Sequence, residues 1–211
     1  MISKQHKNIL TLVQMAVLIG IMLALELTGL GMVKIGLLEM TILQFPVIVG
    51  AILIGPAAGA GLGLVFGLIS FWECFGKSFF GTTLLSINPF FTFLVCVPTR
   101  VLMGFLCGCI YRGLHRIVVS GKEHVSQTIK LVPYLVASLS GALLNTLFFM
   151  SVLLALFSTT EFIAGYMQMA GTQNLILFAV WFVGIQGLVE ALLCAFLGTV
   201  ISRAVNAVFK K

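Results

Sequence analysis

Residues 88–112 read "NPFFTFLVCVPTRVLMGFLCGCIYR". The stretch is nearly unbroken hydrocarbon, and as a helix rising about 1.5 Å per residue it is long enough to cross the ~30 Å core of a bilayer. Near its centre stands Pro98-Thr99-Arg100. An arginine at that depth costs at least ~2.5–3.5 kcal/mol on insertion scales, so it needs a partner or a task.

The rest of the chain has the same character. It has 211 residues, 60% hydrophobic and 9% charged, with a mean hydropathy of +1.18. A soluble domain carries roughly 25% charge. The expectation is an all-α integral membrane protein, residues 1–211 forming a single transmembrane domain. The net charge is +6, but the Lys and Arg residues gather at segment ends, where they set orientation and attract anionic lipid. Nucleic-acid binding is excluded. Cys74, Cys96, Cys107 and Cys194 fall in apolar runs and read as small buried hydrophobes, and Cys107 and Cys109 project to different sides of a helix. No metal site, cofactor motif or disulfide framework emerges.

Six apolar segments can be drawn, roughly 9–27, 40–54, 57–72, 89–111, 131–157 and 175–205. The first follows "MISKQHKN" without a short polar cleavage region and reads as a retained span. The second and third are short for the ~20 residues a span needs, and Gly55-Pro56 joins them as a helical hairpin. With both termini cytoplasmic, Lys4, Lys7, Arg112, Arg116, Lys122, Lys130, Arg203, Lys210 and Lys211 all lie inside, leaving Lys34 and Lys77 outside. The outer loops are then 28–39, 73–88 and 158–174, and Glu26, Glu39, Glu73 and Glu161 lie on that side.

Small residues are dense in "GAILIGPAAGAGLGLVFG" (50–67), which reads as close packing of the second and third spans. No GxxxxGK[ST] occurs, so the chain has no P-loop of its own. Ala16, Gly20 and Ala24, spaced by four, form one small-residue stripe on the first span. That stripe serves either packing within this chain or docking of another membrane protein.

The succession "LQFPVIVGAILIGPAAGAGLGLVFGLISF", "SINPFFTFLVCVPTRVLMGFLCGCIYR", "SLSGALLNTLFFM" and "GLVEALLCAFLGTVISRAV" runs over nearly the whole chain. It resembles the substrate-binding S components of energy-coupling factor (ECF) vitamin transporters. "INPF…PTRVLMG" and "ALLNTLFFM" look most like the pantothenate branch. The resemblance implies partners absent from this chain: a transmembrane coupling subunit and two ATP-binding subunits. It implies that the Ala16, Gly20, Ala24 stripe docks on the coupling subunit, with one Gly in place of Ala. It also implies a water-soluble vitamin bound toward the outer side of the cell membrane, outer loops that close over it, and toppling of the loaded subunit.

Arg100 lies about eleven residues from either end of its span, and Asn145 and Glu190 lie near the middle of theirs. Three polar groups at one depth do not face lipid. Either Arg100 and Glu190 form a structural pair with Asn145 on a neighbouring backbone, or Arg100 grips a vitamin carboxylate through two parallel hydrogen bonds. Pro98 frees a carbonyl, which suits a kink or a pocket wall. Asn88 is a helix cap or, in the family reading, part of the site. Gln44, Asn174 and Gln186 are further polar candidates, Gln186 sharing a helix face with Glu190. Phe79 and Phe80, between Gly76 and the fourth span, suit an apolar lid. Trp72 and Trp181 are interfacial anchors or pocket walls, and His115 and His124 belong to a cytoplasmic loop.

Other readings are an S component for a folate-, riboflavin- or pyridoxine-type vitamin, or a self-sufficient secondary transporter with Glu190 as its coupling acid. An intramembrane enzyme is disfavoured: HExxH and GxSxG are missing, and the chain contains no Asp, which excludes an aspartyl dyad.

Overall fold

A computed structural model describes residues 4–29, 31–35, 38–118, 126 and 129–209. Lys122, His124, Lys210 and Lys211 lie outside them, as does the side chain of Gln186. Helix α1 (Lys4–Leu27) is followed by strands β1 (Met32–Ile35) and β2 (Leu38–Thr41), then α2 (Gln44–Leu53), α3 (Pro56–Glu73), α4 (Phe79–Ile87) and α5 (Pro89–Val118). A 3-10 turn precedes α6 (Val132–Phe157), α7 (Glu161–Met169) and α8 (Leu175–Phe209).

Among the described residues, four helices are long and apolar enough to cross a membrane, those of α1, α3, α5 and α6. Helix α8 makes a fifth as a bent pair, its halves meeting at 57°. The bend is at Gly184, whose backbone (φ 35, ψ −131) leaves the helical region. The second expected span is shorter than the sequence implied. Helix α2 has 10 residues, a rise of about 15 Å, because residues 40 and 41 belong to β2 instead. It is apolar on every side and buried on every side from Gln44 to Ile52, lying in the middle of the bundle against α1, α3, α5, α6 and α8. The short antiparallel hairpin, with Lys34 opposite Glu39, is the exception to an all-helical chain.

The glycine-rich stretch packs on α5 in addition to the partner expected. Gly59, Gly63 and Gly67, spaced by four, turn one face of α3 onto α5. A methyl group on Gly63 would lie 2.3 Å from the Arg100 carbonyl oxygen, one on Gly67 2.7 Å from Val97 Cα, and one on Gly59 2.3 Å from the Gly104 carbonyl oxygen. Gly104 and Gly108 answer from α5. The two backbones touch, which only glycine permits. Gly50 still seats α2 on Leu62 of α3, so the expected second–third contact exists beside the closer one.

Lipid-facing side chains cover the outside: Leu12, Val17 and Ile21 on α1, Leu64 and Leu68 on α3, and Leu143 and Leu147 on α6 are all exposed. Trp72 and Trp181 are exposed as well, so they sit as surface anchors rather than pocket walls. Inward, Met22, Leu43, Val47, Leu62, Phe66 and Met103 form the cluster that joins α1, α2, α3 and α5.

One end of the bundle carries a cover. Two nine-residue helices, α4 and α7, stand where the sequence reading had loops, each started by a capping hydroxyl: Ser78 accepts from the Gly81 N–H and Thr160 from the Ile163 N–H. The rings of Phe80, Phe162, Tyr166 and Phe182 bind α4, α7 and the upper part of α8 together.

Candidate functional site

The site grows from α5. Asn88 caps this helix, its Oδ1 accepting the Phe91 N–H at 3.1 Å, and Asn88 therefore acts at the helix end, not at the buried polar centre. Three turns on, Pro98 interrupts the helical ladder without ending the helix, and polar groups gather around the break. The Thr99 hydroxyl and Arg100 Nη1 both donate to the Val95 carbonyl, at 2.5 and 2.7 Å.

Arg100 is 6% exposed. Its guanidinium lies between two rings, 4.9 Å from the centroid of Phe149 on α6 and 5.3 Å from that of Phe66 on α3. Aromatic faces attract a desolvated cation. Among the described residues Arg100 Nε has no hydrogen-bond partner. Among the described residues no carboxylate lies within ion-pair distance of Arg100.

Glu190 is engaged elsewhere. It is buried on α8 and accepts a hydrogen bond from Gln44 Nε2 of α2 at 2.7 Å. The same Gln44 nitrogen reaches Cys194 Sγ at 3.0 Å. The Arg100–Glu190 ion pair considered from the sequence is thus replaced by a Gln44–Glu190 hydrogen bond. Gln44 is fully buried, and among the described residues its Oε1 is left without a partner. Asn145 on α6 is 7% exposed with an unpaired Oδ1, so it makes no bond to neighbouring backbone through that atom. It sits one helical turn before Phe149, on the side of α6 that meets Arg100.

The structure therefore brings Arg100, Gln44, Glu190 and Asn145 into the interior of the bundle. Phe66 and Phe149 were not foreseen as site residues; the i, i+4 spacing of Asn145 and Phe149 was the available signal. Phe80 belongs to the aromatic cover, whereas Phe79 is 75% exposed and points away from it. Asn174 is exposed and caps α8, its Oδ1 accepting the Ile176 N–H at 2.9 Å.

At the covered end, Lys77 forms an ion pair with Glu26, tying the segment before α4 to the last turn of α1. The hydrogen bond from Lys77 to that carboxylate raises its pKa above the ordinary lysine value. The small-residue stripe lies on the opposite kind of surface. Ala16, Gly20 and Ala24 are exposed, and a methyl on Gly20 would meet nothing within 4 Å. Among the described residues the stripe is not covered by a neighbouring helix. Among the described residues no three His, Cys, Asp or Glu side chains gather in a metal-binding group. The buried centre offers a fixed cation, hydrogen-bonding amides and aromatic faces, a combination suited to holding an anion.

Comparison with known proteins places the chain in a family. A protein from Leuconostoc mesenteroides subsp. mesenteroides, named Pantothenate transporter PanT, is 34% identical over 82 residues, a match that spans 39% of this chain and 38% of that protein. The family described as "ECF transporter, substrate-specific component" matches residues 10–202. With that match extending over nearly all of the sequence, the chain belongs to the family of ECF transporter substrate-specific components, which are transport proteins and not enzymes.

Proposed function

We propose that this chain captures a carboxylate-bearing vitamin, pantothenate, from outside the cell membrane and passes it inward with a separate coupling subunit and two ATP-binding subunits. In this reading the polypeptide contributes six membrane segments, α2 being the short one, with both termini cytoplasmic and the cover of hairpin, α4 and α7 facing outward. The exposed Ala16, Gly20, Ala24 face receives the coupling subunit, since small residues let helices approach closely.

The observation that carries the proposal is Arg100: buried, held between Phe66 and Phe149, and, among the described residues, with no carboxylate in ion-pair range. A cation kept dry at such cost is matched by an anion that arrives with the ligand. The test compares binding of pantothenate and its alcohol analogue, which lacks the carboxylate, to the purified chain and to Arg100→Ala. Loss of the preference for the acid by on the order of 2–5 kcal/mol, in a variant that still folds, supports the reading. An equal loss for both ligands returns Arg100 to a structural role. In liposomes, the chain without its partners should show no concentrative uptake; uptake driven by an ion gradient alone would make it a secondary transporter.

A further inference from the structure

Two sulfurs meet at the covered end of the bundle. Cys74 is the C-cap residue of α3, and Cys96 lies in the second turn of α5. They are 22 residues apart in the chain, and their Sγ atoms are 4.0 Å apart. Both are free thiols and both are buried. A buried cysteine taken singly is a small hydrophobe, but these two lie sulfur against sulfur. The backbones beside them already touch: a methyl group on Gly67 would lie 2.7 Å from Cα of Val97, the neighbour of Cys96. Closing the pair into a disulfide asks the sulfurs to approach by about 2 Å, to the ~2.05 Å of the bond. Two of the remaining cysteines are engaged otherwise. Cys107 Sγ donates to the Ala137 carbonyl at 3.3 Å, and Cys194 Sγ accepts from Gln44.

The pair is also the seat of α4. Leu85 packs against Cys74, Cys96 and Val97. Gly81, one turn earlier on the same face of α4, lies so close that a methyl group on it would stand 2.7 Å from Cys74 Sγ. Cys74 Sγ itself donates to the Ser70 carbonyl at 3.3 Å. We propose that Cys74 and Cys96 form a redox site, which hydrogen peroxide closes to a disulfide, and that closure loosens the seat of α4. In the first step one sulfur attacks the peroxide, the O–O bond breaks, and a sulfenic acid and one water form. In the second the other sulfur attacks the sulfenic sulfur, the S–O bond breaks, and the S–S bond and a second water form. The two sulfurs supply the two electrons that reduce the peroxide, and the two thiol protons leave in the waters. A thiol reductant reverses the change by exchange. Drawing Cys74 Sγ toward Cys96 takes it off Gly81 and off the Ser70 carbonyl, so α4 rests less firmly on α3. The orientation proposed above puts the pair toward the outside, where disulfides persist. The chemistry itself does not depend on that orientation.

The experiment treats the purified full-length chain in detergent with hydrogen peroxide, denatures it, alkylates the remaining thiols and maps the peptides by mass spectrometry. The expected product is a cross-link between the peptides holding Cys74 and Cys96, two hydrogens lighter than the dithiol and opened by dithiothreitol. Cys109, the least buried of the five cysteines, should stay alkylated as a free thiol. Hydrogen exchange of the backbone amides of α4 should be severalfold faster in the oxidised chain and return to its starting rate on reduction. In Cys96→Ser, peroxide should form no cross-link and leave the exchange of α4 unchanged. Oxidation that follows exposure, with Cys109 reacting while Cys74 and Cys96 remain free thiols, overturns the proposal. So does a cross-link that leaves α4 exchange as it was. Both results are read on the wild-type chain, so they stand whether or not the variant folds.

Discussion

Gln44 and Glu190 are 146 residues apart in the chain and 2.7 Å apart in space, the amide nitrogen of one on the carboxylate oxygen of the other. The bond fastens the short central helix α2 to the lower half of the bent α8. Glu190 also accepts a hydrogen bond from the Thr41 backbone and lies within electrostatic reach of Arg100. Glu190→Gln preserves an acceptor for the Gln44 amide and should change stability little. Glu190→Leu removes it and should cost about 1.5–3 kcal/mol, the worth of a hydrogen bond to a charged group. Thermal melting in detergent reads both. Were Glu190 the counter-ion of Arg100, the Gln variant would itself lose on the order of 3–5 kcal/mol.

Two glycines should respond in opposite ways. Gly63→Ala places a methyl group 2.3 Å from the Arg100 carbonyl oxygen, where neither backbone can yield cheaply. A loss of at least about 1–3 kcal/mol is expected. Gly20→Leu meets open space and should leave melting temperature and pantothenate affinity near those of the wild type. It should abolish uptake once the coupling and ATP-binding subunits are supplied, because a bulky side chain prevents close helix approach. Unimpaired uptake by Gly20→Leu would remove the stripe from the docking face.

The neighbouring phenylalanines of α4 divide in the same manner. Phe80 stacks within 6.0 Å of Phe162, Tyr166 and Phe182, whereas Phe79 is largely exposed. Each aromatic pair adds about 0.5–1.5 kcal/mol beyond area burial. Phe80→Ala should therefore speed ligand release on the order of tenfold or more, and Phe79→Ala should leave it unchanged. Stopped-flow displacement of labelled pantothenate distinguishes them.

Lys77 supplies a pH test. Its pKa is raised by Glu26, so its contribution to stability is fully present below the unfolded lysine value near ~10.4 and is lost as pH rises through the higher folded value. The difference in melting temperature between the wild type and Lys77→Met should be small, because the ammonium is exposed. It should hold constant from neutral pH to about 10 and vanish above that. A difference that disappears already near neutrality would mean that Lys77 is not the titrating group.

Features set by local chemistry were legible in the sequence. Asn88-Pro89 announced the start of α5, and it is there, because a cap needs only its own first turn. The density of small residues in 50–67 announced a close approach but not that α5 would also be a helix approached, since composition carries no information about a partner distant in the chain. Counting positions along spans placed Arg100, Asn145 and Glu190 at similar depth. It could not show that Gln44, at the start of a ten-residue helix, would reach Glu190 first. The α4 and α7 helices were hidden by their length, although Ser78 and Thr160 were readable as starts. The hairpin at Met32–Thr41 was absorbed in part into a hydrophobic run.

The backbone contact between α3 and α5 has a mechanical consequence. Helices whose carbonyls lie where a methyl group would otherwise stand have no cushion of side chains to shear, so they behave as one stiff spine. Arg100 is mounted on that spine, beside the ring of Phe66. Any motion that frees a ligand from it must then be made by the compliant elements opposite: the bent α8, the ten-residue α2 and the small helices above them. If Arg100 holds the ligand as proposed, the grip is fixed, and release is a matter of what moves away from it.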